Sequence, residues 1–293
     1  MVSYPPISAC LSLTRAISRA TSAEDIYTAA LDALALALDV SRASVLLCDA
    51  DGVMRFKAWR GLSDTYRDAV EGHTPWTADT RDPQPVVVSD VSKERTLDAF
   101  REVILAEGIA AMAFIPLVSV GRVIGTFTLY YKAPHVLRDD ERQLAEMISA
   151  QVAFALERMR AEVSAQRSEA HLRFALDAAA MGTWDLDLSN QVVTWSGLFE
   201  RIHGYEPGTL DNSFESYATI IHSGDRDRVL ASIRWAIDAG KPYDIEYRVV
   251  GADGVVRWVE SKGRVEYKDG KPACVIGVCI GDAAQGSRVR AAG

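Results

Sequence analysis

The chain lacks any apolar run long enough to cross a membrane. Its longest, Ile109–Val120 and Ala29–Leu38, fall short of the roughly 18–20 residues that span a bilayer. The opening Met1-Val-Ser-Tyr-Pro-Pro has no basic segment followed by an apolar stretch, so no secretory signal is visible there. Cysteine is scarce. Cys10, Cys48, Cys274 and Cys279 form no CxxC pair, which fits a cytoplasmic protein with reduced thiols. Cys48 and Cys279 lie in apolar, strand-like runs and read as small buried hydrophobes rather than redox or metal groups. An excess of positive charge is also missing. With Lys+Arg at 32 against Asp+Glu at 40, the formal net charge is −8. Such a surface repels phosphate backbones and argues against nucleic-acid binding as the main activity.

Catalytic signatures are absent as well. No GxxxxGK[ST] loop cradles phosphate, and there is no HExxH and no strand-embedded GxSxG. The expectation is a chain without an enzyme activity of its own.

What is present is an ordinary globular balance, 48% hydrophobic and 25% charged residues over 293 positions. At roughly 150 residues per domain this suggests two domains, each large enough to bury a core. Residues Ile7–Leu38 carry apolar side chains at helical spacing (Leu13, Ile17, Ile26, Ala30, Leu34, Leu38), and Thr21-Ser-Ala-Glu24 has the form of a capping box opening a second helix. The pattern then turns to strands at Ala43–Cys48 and Val53–Arg60, joined by an Asp-Gly turn. A polar, proline-bearing loop spans Thr74–Pro85. After it come a strand at Val86–Ser89, a helix at Leu97–Glu107 ending on Gly108, strands at Ala111–Val118 and Val123–Tyr131, and a long helix from Arg138. Helices flanking an antiparallel sheet make this α+β.

In this order, Arg42-Ala-Ser-Val-Leu-Leu-Cys-Asp, Phe114-Ile-Pro-Leu, Gly121-Arg-Val-Ile-Gly-Thr-Phe-Thr-Leu-Tyr and Asp139-Asp-Glu-Arg-Gln-Leu-Ala resemble a GAF domain. The resemblance covers residues 18–160, behind an N-terminal helical segment at 1–17.

No turn signal interrupts residues 144–171. Ile148, Val152, Ala155 and Met159 repeat at 4-3-4 spacing, a coiled-coil seam, and Val163 continues it through a stutter. A helix with one apolar stripe and no partner in its own chain pairs with its copy, so a parallel homodimer is expected. Packing of the early stripe residues on the sheet is the alternative, and the two are compatible.

The second half opens with Phe174-Ala-Leu-Asp-Ala-Ala-Ala-Met-Gly-Thr-Trp-Asp-Leu-Asp-Leu, read as a helix stopped by Gly182 and a strand alternating at Trp184, Leu186 and Leu188. Further strands are expected at Gln191–Trp195, Tyr243–Val250, Val255–Tyr267 and Ala273–Ile280, with helices at Leu198–His203, Ser216–His222 and Asp225–Ala239. Trp195-Ser, Gly204-Tyr-Glu-Pro-Gly208, Ile221-His-Ser-Gly-Asp-Arg226, Glu246-Tyr-Arg-Val-Val, Asp253-Gly-Val-Val-Arg-Trp-Val-Glu260 and Gly277-Val-Cys-Ile follow one another as in a PAS domain of the fold-3 type. The resemblance places that domain at 172–282. Such domains usually end in Asp-Ile-Thr, whereas this chain reads Gly281-Asp-Ala-Ala before a tail at 283–293 with no apolar stripe.

The pair of resemblances implies a cytoplasmic sensory module that binds a small ligand or a protein partner and relays a conformational change along a dimeric helix. The alternative is the input region of a sensor histidine kinase or diguanylate cyclase. None of the marks of those effectors is found: no phospho-accepting histidine with an ATP lid, no GGDEF loop, no HD site. His171 reads as a solvated helix histidine. Haem on His203 or His222 rests on lone histidines, a flavin adduct lacks its cysteine run, and a bilin lacks a cysteine at Leu97–Gly108, so no cofactor is expected. A cyclic-nucleotide pattern does not thread onto Ser89–Glu107. What remains is pocket lining: Phe56, Trp59, Trp76, Phe114, Thr128 and Tyr130 in the first domain, and Trp184, Trp195, Phe199, Tyr247 and Trp258 in the second. The same residues also suit plain core packing.

Overall fold

The computed structural model describes residues 5–76 and 80–281, and the chain divides into two units after Ala165. The tail at 283–293 and the residues following Gly281 lie outside the described residues.

The first unit begins with α1 (Pro5–Arg19) and α2 (Ala23–Leu38). On α2, Ile26, Ala30, Leu34 and Leu38 fall on one buried stripe at helical spacing. Ser22 is the N-cap: its hydroxyl accepts the Asp25 N–H at 3.2 Å, and the Asp25 carboxylate accepts the Ser22 N–H at 3.0 Å. The capping box is therefore closed by Asp25 and not by Glu24. The helix starts at Ala23, which puts Asp25 at the third helical position, where a carboxylate reaches back.

The strands β1 (Arg42–Cys48), β2 (Met54–Arg60), β3 (Val86–Val88), β4 (Ala111–Ser119) and β5 (Arg122–Tyr131) form an antiparallel sheet in the order β2-β1-β5-β4-β3. One face carries Val45, Leu47, Ile115, Phe127 and Leu129 into a core shared with Leu13, Leu34 and the first half of α5 (Asp139–Ala178). The expected dimer seam lies here. Ile148, Val152 and Ala155 are buried in this core and Met159 packs against it, while Val163 is exposed. Those first four residues therefore hold the helix to its own sheet and are not free to face a second copy. Each large apolar side chain so buried contributes roughly 1.5–3 kcal/mol.

Over the opposite face lie two short helices, α3 (Asp64–Val70) and α4 (Arg101–Ala106). The sequence pattern hides α3, because only Tyr66 on it is buried, with Val70 packed partly beside it, and two such positions make no clear periodicity. Ser63 caps it, accepting the Tyr66 N–H at 3.1 Å. α4 begins four residues later than expected, since a 3-10 turn at Arg95–Leu97 precedes it. It ends at Ala106, and Gly108, two residues on, takes φ at +75°.

In the second unit, β6 (Met181–Asp187), β7 (Val193–Trp195), β8 (Tyr243–Val250), β9 (Val256–Lys268) and β10 (Lys271–Gly281) form an antiparallel sheet in the order β7-β6-β10-β9-β8. Along β8, buried Tyr243, Ile245, Tyr247 and Val249 alternate with outward Asp244 and Glu246. The inward face is covered by α6 (Gly197–Ile202), α7 (Phe214–Ile220) and α8 (Arg226–Ala239), the last burying Val229, Ile233 and Ala236. Gly182 is not a helix stop. α5 runs on to Ala178, Ala180 makes the turn at φ +52°, and Gly182 sits inside β6. A Cβ there would lie 2.5 Å from the Phe199 Cα, so glycine is required for α6 to approach the strand.

Candidate ligand-binding surfaces

The second face of the first sheet is the more polar of the two. Register places Trp59, Ser44, Thr128, Phe114 and Val86 in one row across all five strands. The next row on that face carries Arg42, Tyr130, Met112 and Val88. Between the rows the Ser44 and Tyr130 hydroxyls meet at 2.9 Å, both buried. Tyr66, descending from α3, places its ring edge-on to Tyr130 with centroids 5.8 Å apart, and the Tyr66 and Thr128 hydroxyls lie against the Tyr130 hydroxyl. Burial pushes both tyrosine hydroxyls to higher pKa, so they stay protonated and act as neutral donors and acceptors. Four hydroxyl groups thus converge under α3 in an otherwise apolar layer.

At the rim, Trp59 is 40% exposed, and the Arg67 guanidinium lies 3.7 Å above its ring. Arg67 pairs with Asp64, yet its Nε–H is buried without a hydrogen-bond partner. The lid is tied down by Glu107. Its carboxylate accepts the Ser63 N–H at 2.8 Å and the Ser63 hydroxyl at 2.5 Å, while its backbone carbonyl accepts Arg42 at 2.6 Å. Of the expected lining residues, Phe56, Trp76 and Phe114 share one apolar cluster. Phe114 also packs against the cluster that holds Tyr66 and Tyr130. The Trp76 indole N–H is bonded to the Gln84 carbonyl at 3.2 Å, which marks it as a loop anchor. Sequence reasoning missed Ser44, Tyr66 and Arg67. The signal for Ser44 was a small polar residue in the middle of an apolar strand.

The interior of the second unit is nearly closed. Trp184 and Phe199 do line a cavity, with Phe214, Tyr217, Ile233 and Tyr243, but its volume is about 20 Å³. That is room for about one water molecule. Trp195 stacks on Phe199 at 5.4 Å, and Phe199 stacks on the buried His203 at 3.9 Å. His203 Nδ1 is 2.7 Å from the Phe199 carbonyl and donates to it, leaving the buried Nε2 without a partner. Burial lowers its pKa to about 4. Tyr247 is fully buried, and its hydroxyl meets that of Tyr217 at 2.6 Å. Trp258 does not face the interior: strand alternation turns Val259 inward, so Trp258 is exposed on the outer face beside Arg248. His222 is a turn residue, its Nδ1 accepting the Gly224 N–H at 3.1 Å. His171 is exposed on α5.

Sequence reasoning also missed the buried Glu200. Its carboxylate accepts the backbone N–H groups of Gly208, Thr209 and Leu210, at 2.7 to 3.1 Å, and pins that loop. All four cysteines are free, and burial pushes the Cys279 thiol up to about 12. Among the described residues no helix is long and apolar enough to cross a membrane.

A GAF-domain model matches residues 22–156, and a PAS-fold model matches residues 192–279. A solved domain from a Sinorhizobium meliloti protein assigned as a two-component sensor histidine kinase is 44% identical. It covers 50% of this chain and 99% of its own, with a TM-score of 0.48. The blue-light-activated histidine kinase of Brucella anthropi is 27% identical over 124 residues, 42% of this chain and 25% of that protein. The sensor protein FixL of Bradyrhizobium diazoefficiens is 26% identical over 95 residues, 31% of this chain and 18% of that protein. The chain thus spans about a quarter or less of the length of these curated relatives. Two matched domain models in sequence, each falling on one antiparallel sheet with its flanking helices, show that the chain belongs to the GAF and PAS sensory-domain families, with the GAF domain first.

Proposed function

We propose that this chain is a non-catalytic sensory input module that captures a small ligand on the hydroxyl-bearing face of its GAF sheet and passes the change into α5. The carrying observation is the convergence of Ser44, Tyr66, Thr128 and Tyr130 under a lid hung on Glu107. Apolar packing alone has no use for four buried hydroxyls, whereas a ligand held by a few polar groups in an apolar bed does. Arg67 adds a cationic rim, so the fitting class is a small, largely flat molecule carrying a hydroxyl or carboxylate.

The relay follows from connectivity. The same sheet rests, on its other face, against Ile148 and Val152 of α5. From Ala161 to Ala175 every residue of that helix is exposed, Val163, Leu172 and Phe174 included. An isolated helical stretch of that length is marginal in water. A second copy covering it is therefore part of the proposal, as is a cytoplasmic setting in which the four thiols stay reduced. The related kinases support a role ahead of a histidine-kinase effector.

Native mass spectrometry of the chain purified from a rich host tests the ligand. The expected result is added small-molecule mass on the wild type that Y130F and S44A lose. A wild type without added mass, or variants that keep it, overturns the reading. Incubation with ATP is expected to leave the chain unphosphorylated.

A further inference from the structure

Across the inner face of the PAS sheet one row reads Trp195, Trp184, Gly277, Gly263, Tyr243. Two residues without side chains lie side by side between large aromatics. The Trp184 indole fills the gap they leave. A Cβ on Gly277 would fall 2.5 Å from its Cζ2, and one on Gly263 2.9 Å from its Cη2 and Cζ2. The indole N–H donates to Ser261 Oγ at 3.0 Å, and Ser261 is itself buried. The Tyr243 ring closes the far side edge-on, with centroids 5.7 Å apart at 88°. The buried Tyr243 hydroxyl has no well-formed hydrogen bond, and Tyr243 lines the small cavity that Trp184 also bounds.

Strand glycines weaken a sheet unless something must approach the backbone closely. Here the thing that approaches is a flat bicycle with one ring N–H, and it is supplied by the chain. We propose that this row is a slot for a planar heteroaromatic ligand of the indole class, and that Trp184 is its built-in occupant. The glycine pair is the floor, Ser261 Oγ the anchor for the ring N–H, and Tyr243 the wall. With Trp184 seated, the PAS domain takes no ligand and serves as a relay. With Trp184 displaced, the slot is open. Trp184 stands on β6, the strand that follows α5 after a two-residue turn, so seating and unseating this one side chain acts on the strand next to the helix. The proposal is independent of the reading of the GAF face.

Chemical rescue on the full chain tests it. W184A removes the occupant, and dry apolar cavities of such size hold small aromatics. Indole is expected to bind W184A at one per chain by calorimetry and to raise its melting temperature toward that of the wild type, with no binding to the wild type. A ligand of the folded state also pulls an unfolded population back. If W184A is unfolded, recovery of its sheet circular dichroism on titration with indole is therefore the expected result. Failure to bind or to recover up to the solubility of indole overturns the slot. Indole binding by the wild type overturns the self-occupation. A second measurement needs no cavity variant: in chain labelled with ¹⁵N-tryptophan, the Trp184 indole N–H is expected to be protected from hydrogen exchange, and S261A to lose much of that protection. An indole N–H that exchanges freely in the wild type overturns the proposal as surely.

Discussion

The Ser44 and Tyr130 hydroxyls meet at 2.9 Å across β1 and β5, fully enclosed, on the only face of the GAF sheet where hydroxyl groups gather among the described residues. The two are not equal partners. Tyr130 also has Thr128 and Tyr66 within reach, whereas Ser44 has Tyr130. Y130F therefore strands a buried hydroxyl and is expected to cost about 1–3 kcal/mol. S44A leaves Tyr130 with alternatives and is expected to cost less. Urea denaturation followed by a GAF-localised probe checks the order, and S44A costing more than Y130F would contradict the network drawn here.

A second prediction concerns acid. His203 is wholly buried with its pKa lowered to about 4 from an ordinary 6.5. The unfolded chain takes up the proton near 6.5, while the folded one refuses it until about 4. Folding stability is thus intact above pH 6.5 and declines as the pH falls toward 4. At 1.36 kcal/mol per pKa unit the loss is about 3 kcal/mol. H203F keeps a ring stacked on Phe199 and removes the titrating group. Denaturation midpoints of the PAS transition at pH 7 and pH 4.5 are expected to differ in the wild type and to converge in H203F. Equal slopes in the two proteins sink the assignment.

The third prediction is local. Glu200 offers only acceptor oxygens to the N–H groups of Gly208, Thr209 and Leu210. In E200Q one of those oxygens becomes an NH₂ that faces donors. Loss of charge-assisted bonds of this kind is worth roughly 1.5–3 kcal/mol. Faster hydrogen exchange at residues 208–210 is expected, with the sheet amides unchanged. Uniform acceleration across the domain would mean instead that Glu200 supports the whole core.

How much of this was legible in the residues depends on how far each feature reaches. Strands such as Ala43–Cys48, a short apolar run, and Tyr243–Val250, an alternating one, announce themselves because both patterns are local, and both were placed within a residue or two. The stripe Ile148–Val152–Ala155–Met159 was also legible as a stripe. Its partner was not, because heptad spacing suits a sheet face as well as a second helix, and only the tertiary packing decides. Trp258 misled for a simpler reason: its side follows from strand register, which one chain segment does not reveal. Tyr66, Ser44 and Tyr130 come together from α3, β1 and β5, 86 positions apart at the widest, so no local pattern contains them. Trp184 was named as pocket lining, but the glycines beneath it were not. Gly263 and Gly277 acquire meaning only as neighbours in a row.

That correction to the stripe leads to the last prediction. Ile148 is fully buried in the GAF core, whereas Leu172 is 62% exposed on the same helix. A charge at the two positions should therefore do different things. I148D places an unpaired carboxylate among Val152, Phe127 and Leu129 and is expected to unfold the GAF domain, seen as lost sheet circular dichroism and a lower melting temperature. L172E touches no core, so the monomer fold is expected to persist with its melting profile unchanged. If a second copy covers the exposed stretch of α5, L172E and V163E together convert a dimer to a monomer by analytical ultracentrifugation without loss of sheet signal. Were I148D instead to yield a folded monomer, the stripe would belong to the dimer after all. A wild type that sediments as a monomer would remove the second copy from the proposal and leave α5 as a strut within one chain.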